Sequence, residues 1–117
     1  MQCAAMVRHV TWAIQMATGE RPIAERKTRL RFFPIKQLVL YVLPFPKGAP
    51  TSPRLVVTET SSVAVEVPAL IRAFDSFVAM DPNGEWLPHP VFGAMTGAAW
   101  GKLAWKHCDH HLRQFGA

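Results

Sequence analysis

Apolar side chains recur along this chain every three or four residues, and that spacing limits its fold more than any other feature. Cys3, Met6, Val10, Ala13, Ile14 and Ala17 fall on one stripe of a helix. Leu70, Ile71, Phe74, Phe77 and Val78 make a second stripe. Trp100, Leu103, Ala104, His107, His111 and Phe115 make a third. Stripes of this kind are buried by packing helix on helix, so an all-α bundle is expected. Proline and glycine mark the ends. The helices are expected from about Gln2 to Thr18, from Pro34 to just before Pro44, from Pro68 onward, and from a Thr96 cap to about Phe115. "QLVLYVL" also fits a strand, but no partner strand is evident, so a helix is expected there; "RLVVTET" reads either way.

The tract "PFPKGAPTSP" holds four prolines and one glycine and reads as a loop with a restricted backbone. It is not a phosphate-binding loop, because the GxxxxGK[ST] spacing is absent. With 117 residues, half of them apolar and 18% charged, residues 1–117 are expected to be one globular domain. The net charge of +5 is concentrated between Arg21 and Lys36, where six basic residues stand against Glu25. No known nucleic-acid reader motif accompanies them, so a solvated linker is the preferred reading and nucleic-acid binding ranks last. Two cysteines, Cys3 and Cys108, do not make a disulfide framework. Arg8 and His9 interrupt the only stretch with signal-peptide character, and "LVLYVLPF" is too short to span a bilayer. A cytoplasmic protein with no membrane partner is expected.

The chemistry is concentrated near the C-terminus, where "KHCDHHLRQ" carries His107, His110 and His111. On a helical wheel of about 100° per residue, His107 and His111 lie near the middle of the apolar face and His110 towards its edge. Lys106, Asp109 and Arg113 point to water. Side chains four apart on a helix have Cβ atoms about 5–6 Å apart, close enough for two imidazoles to share an ion. The competing reading is a pair of core histidines hydrogen-bonded to their neighbours. A metal site needs more ligands, and the candidates are His9, at the border of the first apolar stripe, and His89, set between prolines and expected to be exposed. Three histidines would leave coordination positions open, as in catalytic rather than structural sites. Zinc, nickel, iron and manganese all suit imidazole. His110 is an alternative ligand or an outer partner of one. Gln114 lies near the face and could hold a water or a substrate group. Trp100, Trp105, Cys3 and Cys108 read as packing residues.

"HPVFGAMTGAAWGKLAWKHCDHHLRQFG" resembles the C-terminal signature of DinB-like proteins, which belong to the DinB and YfiT-like superfamily of metal-binding four-helix bundles. "QCAAMVRHVTWAIQMATGE" is similar to the second helix of that family, and "LPFPKGAPTSP" to its proline-rich connection. The resemblance implies an up-down bundle holding a divalent ion through His9, His107 and His111. It implies an N-terminally truncated bundle, with about three main helices and a short one, because Met1 falls where the family's first helix has already ended. The apolar strip left by that missing helix would favour a homodimer. The relatives' activities imply a metal-dependent enzyme, a thiol S-transferase using a low-molecular-weight thiol or a hydrolase of a small-molecule substrate. The alternative is a non-catalytic metal-binding or structural bundle.

Overall fold

In the computed structural model, residues 3–21, 23, 29–43 and 62–116 are described. Helix α1 runs Cys3–Thr18. A 3-10 turn covers Arg29–Arg31, and α2, Ile35–Gln37, continues directly into a π-helical turn, Leu38–Val42. Helix α3 spans Val63–Val78, and α4 spans Gly97–Gln114. The described residues are all-α, apart from one isolated bridge between His89 and Gly93. No helix among them is long and apolar enough to cross a membrane.

The ends of α1 and α4 follow from local chemistry. Gly19 stops α1 at φ +87°, a left-handed conformation that side chains with a Cβ rarely adopt. The Thr96 hydroxyl caps α4 by accepting from the Ala99 N–H at 3.1 Å. Gly97 is required by space. A Cβ there would stand 2.4 Å from the Pro82 carbonyl oxygen, a backbone atom that cannot swing aside.

Helix α1 is the wall shared by the rest, packing against both α3 and α4. It is buried on nearly every side, which suits a helix whose neighbours cover it all round. Met6, Val7, Val10 and Ile14 meet Ala73 of α3, with Val67, Leu70 and Phe74 packed around them. Further along α1, Met16 and Ala17 join a second cluster with Leu40, Phe92, Met95, Ala99, Trp100 and Leu103. Each large apolar side chain buried this way contributes ~1.5–3 kcal/mol. Arg8 of α1 reaches across to Glu66 in the first turn of α3, its Nε donating to Oε1 at 3.0 Å, and the Glu66 side chain is almost wholly buried.

Several expectations need correcting. Helix α3 begins at Val63, not Pro68, and Pro68 lies inside it. Proline there removes the N–H that would serve the Ala64 carbonyl, but both residues are exposed, so water can take its place. Glu66 and Val67, anchored on α1, hold the first turn in helical form. The second expected helix is only a short α turn that widens into a π turn, with Leu43 extended after it. "RLVVTET" and the whole of "PFPKGAPTSP" lie outside the described residues. Lys106 does not point to water. It is 8% exposed, and its ammonium donates to the carbonyls of Val39 and Leu43. The carbonyl of Val39 has need of it: the residue five positions on, which would close the next π-helical hydrogen bond, is a proline with no N–H. Trp105, expected to pack, is 61% exposed and sits beneath Lys102. Cys3 is exposed and Phe115 partly so.

Candidate metal centre

The histidines come together because α1 and α4 pack face to face. His9 sits on the buried side of α1, one residue before Val10, whose side chain is core. His107 and His111 follow Trp100 and Leu103 along the buried face of α4. His9 is 4% exposed and His111 8%, with His107 partly buried between them.

His107 meets both other rings through Nε2, and one ring nitrogen from each of the three lies within 4.8 Å of the others. The Nε2 atoms of His9 and His107 are 2.9 Å apart, and those of His111 and His107 are 3.1 Å apart. Ring centroids lie 4.6–4.8 Å from one another, and the planes cross at 72–78°, so the imidazoles stand like the blades of a propeller. Among the described residues these three form the group able to hold an ion. His89 and His110 are not part of it.

Gln114 also fixes how one of these rings carries its proton. The Gln114 amide lies 2.9 Å from His111 Nδ1 through its Oε1. An amide oxygen only accepts, so Nδ1 holds the proton and Nε2 presents its lone pair. The Gln114 nitrogen lies 3.3 Å from His110 Nε2, which makes His110 an outer partner rather than a member of the trio. Burial pushes the His107 pKa down to about 3, helped by the charges that His9, His111, His110 and His89 would carry. Burial also lowers that of His111, against the opposing hydrogen bond to Gln114. Both rings are therefore neutral at physiological pH, as ligands must be.

The surrounding polar side chains stand apart from the centre. Asp109 pairs with Arg113 on the exposed side of α4 at 3.0 Å, as the wheel places them. Cys108 packs against the α1–α3 cluster, and burial raises its pKa, so its thiol stays protonated. His89, expected to be exposed, is instead half-buried against Phe92 and Trp100.

Residues 39–117 match the profile of a family described as a protein of unknown function (DUF1569). The chain belongs to the DUF1569 family. The matched span carries His89, His107, His110, His111 and Gln114, while His9 precedes it. No curated protein and no solved structure matches the chain.

The donor set of this DUF1569 chain could hold a divalent ion. His107 Nε2 faces two other Nε2 atoms but can hold at most one proton, and His111 Nε2 is already fixed as a lone pair. If His107 Nε2 carries a proton, it must serve two acceptors or leave one; if it carries none, two lone pairs face each other across 3.1 Å. Ligand nitrogens about 2.1 Å from an ion stand about 3.0 Å apart at right angles and about 3.4 Å apart at tetrahedral angles. The two separations from His107, 2.9 and 3.1 Å, lie near the first of these, and the three donors lie within 4.8 Å of one another.

Proposed function

We propose that this chain is a metal-dependent enzyme of DinB-like architecture, acting as a thiol S-transferase or a hydrolase on a small-molecule substrate. His9, His107 and His111 would hold one divalent ion: zinc, nickel, iron or manganese. The observation that supports this reading is the approach of three imidazole nitrogens, from His9 on α1 and His107 and His111 on α4, to within 4.8 Å of one another. An ion held by three imidazoles keeps open positions, where it would supply Lewis-acid chemistry and lower the pKa of a water or thiol.

The chain's own groups do the rest. Gln114 orients His111 and holds its proton on Nδ1. The apolar face formed by Trp100 and Leu103 fixes α4 against the core, so the two α4 ligands keep their spacing. Val65 and Ile71 on α3 and Trp105 and Leu112 on α4 are exposed, as the homodimer reading requires.

Elemental analysis of protein purified without a histidine tag tests the reading. About one ion per chain is expected, lost in His107→Ala and His111→Ala and largely kept in His110→Ala. Full occupancy in the His107→Ala/His111→Ala double variant would overturn the assignment. A site that binds an ion but admits no exogenous thiol or anion would move the reading to the structural bundle.

A further inference from the structure

The segment from Phe32 to Leu43 carries an apolar surface that the core does not use. Its anchor is Leu40, 1% exposed and packed in the cluster with Trp100 and Leu103. Ile35, Leu38, Tyr41 and Val42 are exposed instead. Positions three, six and seven after Ile35 share one side of a helix, and Leu40 falls on the other. Phe32 and Phe33 stand just before this stripe, 61% and 81% exposed. Helical rise keeps all six side chains within about 15 Å along the segment. The stripe is also held facing outward. The Lys36 N–H donates to the Phe32 carbonyl at 2.9 Å, and the Leu43 N–H to the Leu38 carbonyl at 2.8 Å. The Lys36 ammonium donates to the Ala94 carbonyl, and that of Lys106 to Val39 and Leu43. Turning the stripe inward would break these bonds and pull Leu40 from the core.

Charge identifies the occupant. Between Glu25 and Glu59 the sequence holds seven basic residues and no acidic one. Arg29 is exposed three residues before Phe32. At the far end, Lys106 meets the Leu43 carbonyl, and Lys102 precedes Lys106 by one turn of α4. We infer that this segment is a docking surface for an anionic lipid bilayer. Phe32, Phe33 and the stripe enter the boundary between headgroups and acyl chains, and the flanking cations meet lipid phosphates. A surface contact needs no spanning helix, so the expectation of no membrane partner, which rested on span length, does not bear on it. A second copy docked here would bring the same basic stretch against itself. Nucleic acid would find two rings for stacking, but Ile35, Leu38 and Val42 offer bases neither a ring nor a hydrogen bond. The inference is independent of the metal centre.

Co-sedimentation with vesicles tests it. Untagged protein should bind vesicles of equal parts phosphatidylglycerol and phosphatidylcholine, bind pure phosphatidylcholine far more weakly, and come off as salt is raised. Binding should weaken about tenfold in Phe32→Ala/Phe33→Ala and about fivefold in Arg29→Gln. These side chains are exposed, so the variants should melt as the wild type does. The inference fails if the wild type ignores the mixed vesicles, binds both kinds equally, or loses nothing on removal of the two rings. Single-stranded polyuridylate is the competing probe. If the wild type binds it through the two phenylalanines and leaves vesicles alone, the patch belongs to nucleic acid. A dimer in sedimentation velocity that the double variant abolishes, again without vesicle binding, would assign the patch to a second copy. A measurement on unmodified protein guards against variants that fail to fold. Mixed vesicles should slow amide hydrogen exchange of the wild type within Phe32–Leu43. Protection confined to other parts of the chain would overturn the assignment.

Discussion

Helix α4 buries polar side chains in two directions, and the protein treats them differently. On one side, the Lys106 ammonium meets the carbonyls of Val39 and Leu43, acceptors with lone pairs to offer a cation. On the other, His107 and His111 meet His9 through ring nitrogens, atoms that can each hold a proton or offer a lone pair. The first site is complementary within the chain. At the second, ring nitrogens face ring nitrogens, an arrangement that a shared proton or a metal ion can satisfy. Burial marks a polar group as costly to keep, and the nature of its partners then tells whether it serves the fold or awaits a ligand.

Acid should break the comparison most forcefully. His107 and His89 have folded pKa values pushed down to about 3 and about 4, and that of His111 is lowered as well. In the unfolded chain each would titrate near 6.5. The unfolded state therefore binds more protons at any pH below about 6.5, and stability falls as pH drops from there towards the folded values. Each depressed histidine costs about 1.4 kcal/mol per pH unit in that window. His89 and His107 together should remove roughly 4 kcal/mol from the metal-free protein between pH 7 and pH 5, a large share of a small domain's stability. Thermal melts of chelator-treated protein across that range check this. A melting temperature flat from pH 7 to pH 5 would mean that the rings are not held neutral. Saturating zinc should raise the melting temperature at pH 7, with the gain shrinking as pH falls.

Lys106 provides the opposite arm. Lys106→Ala should destabilise the protein by about 2 kcal/mol, through the lost packing of its stem and the loss of a donor to two carbonyls. Metal stoichiometry should not change. Chemical denaturation alongside elemental analysis would show both. A loss of metal comparable to that in His107→Ala would mean that the two sides of α4 are not independent.

How much of this was legible in the sequence depends on how local each cause is. The α4 face carrying Trp100, Leu103, His107 and His111 could be read because a helix puts its pattern into consecutive residues. His9 was only a border residue of its stripe until the resemblance selected it, since no local rule shows which helix faces which. Lys106 was misread because its partners are main-chain carbonyls more than sixty residues earlier, and carbonyls leave no side-chain signature. Pro68 reads as a helix start by a strong local rule, yet the Arg8–Glu66 pair and packing on α1 carry the helix through it. His89 looked exposed between two prolines, and only the folded turn brings Trp100 over its ring.

The smallest expected effect is also the most specific to the histidine side of α4. Gln114 is exposed and contributes little to packing, so its removal should leave the fold intact. What it does is hold the proton of His111 on Nδ1 through a contact of 2.9 Å, which turns the Nε2 lone pair towards the other two rings. Without it, the neutral ring is free to shift its proton to Nε2, and that population cannot bind an ion. Outer partners of ligand histidines typically account for about 10–100-fold in metal affinity. Gln114 is solvent-facing and water can replace it in part, so the lower end is expected, about tenfold for Gln114→Ala. Gln114→Glu should bind at least as tightly as wild type, because a carboxylate accepts the same hydrogen bond more strongly. Competition against a chromophoric zinc chelator at constant pH measures both. Equal affinity in wild type and Gln114→Ala would mean that His111 is oriented by packing alone, and the contrast with Lys106 would then rest on the three rings without their outer support.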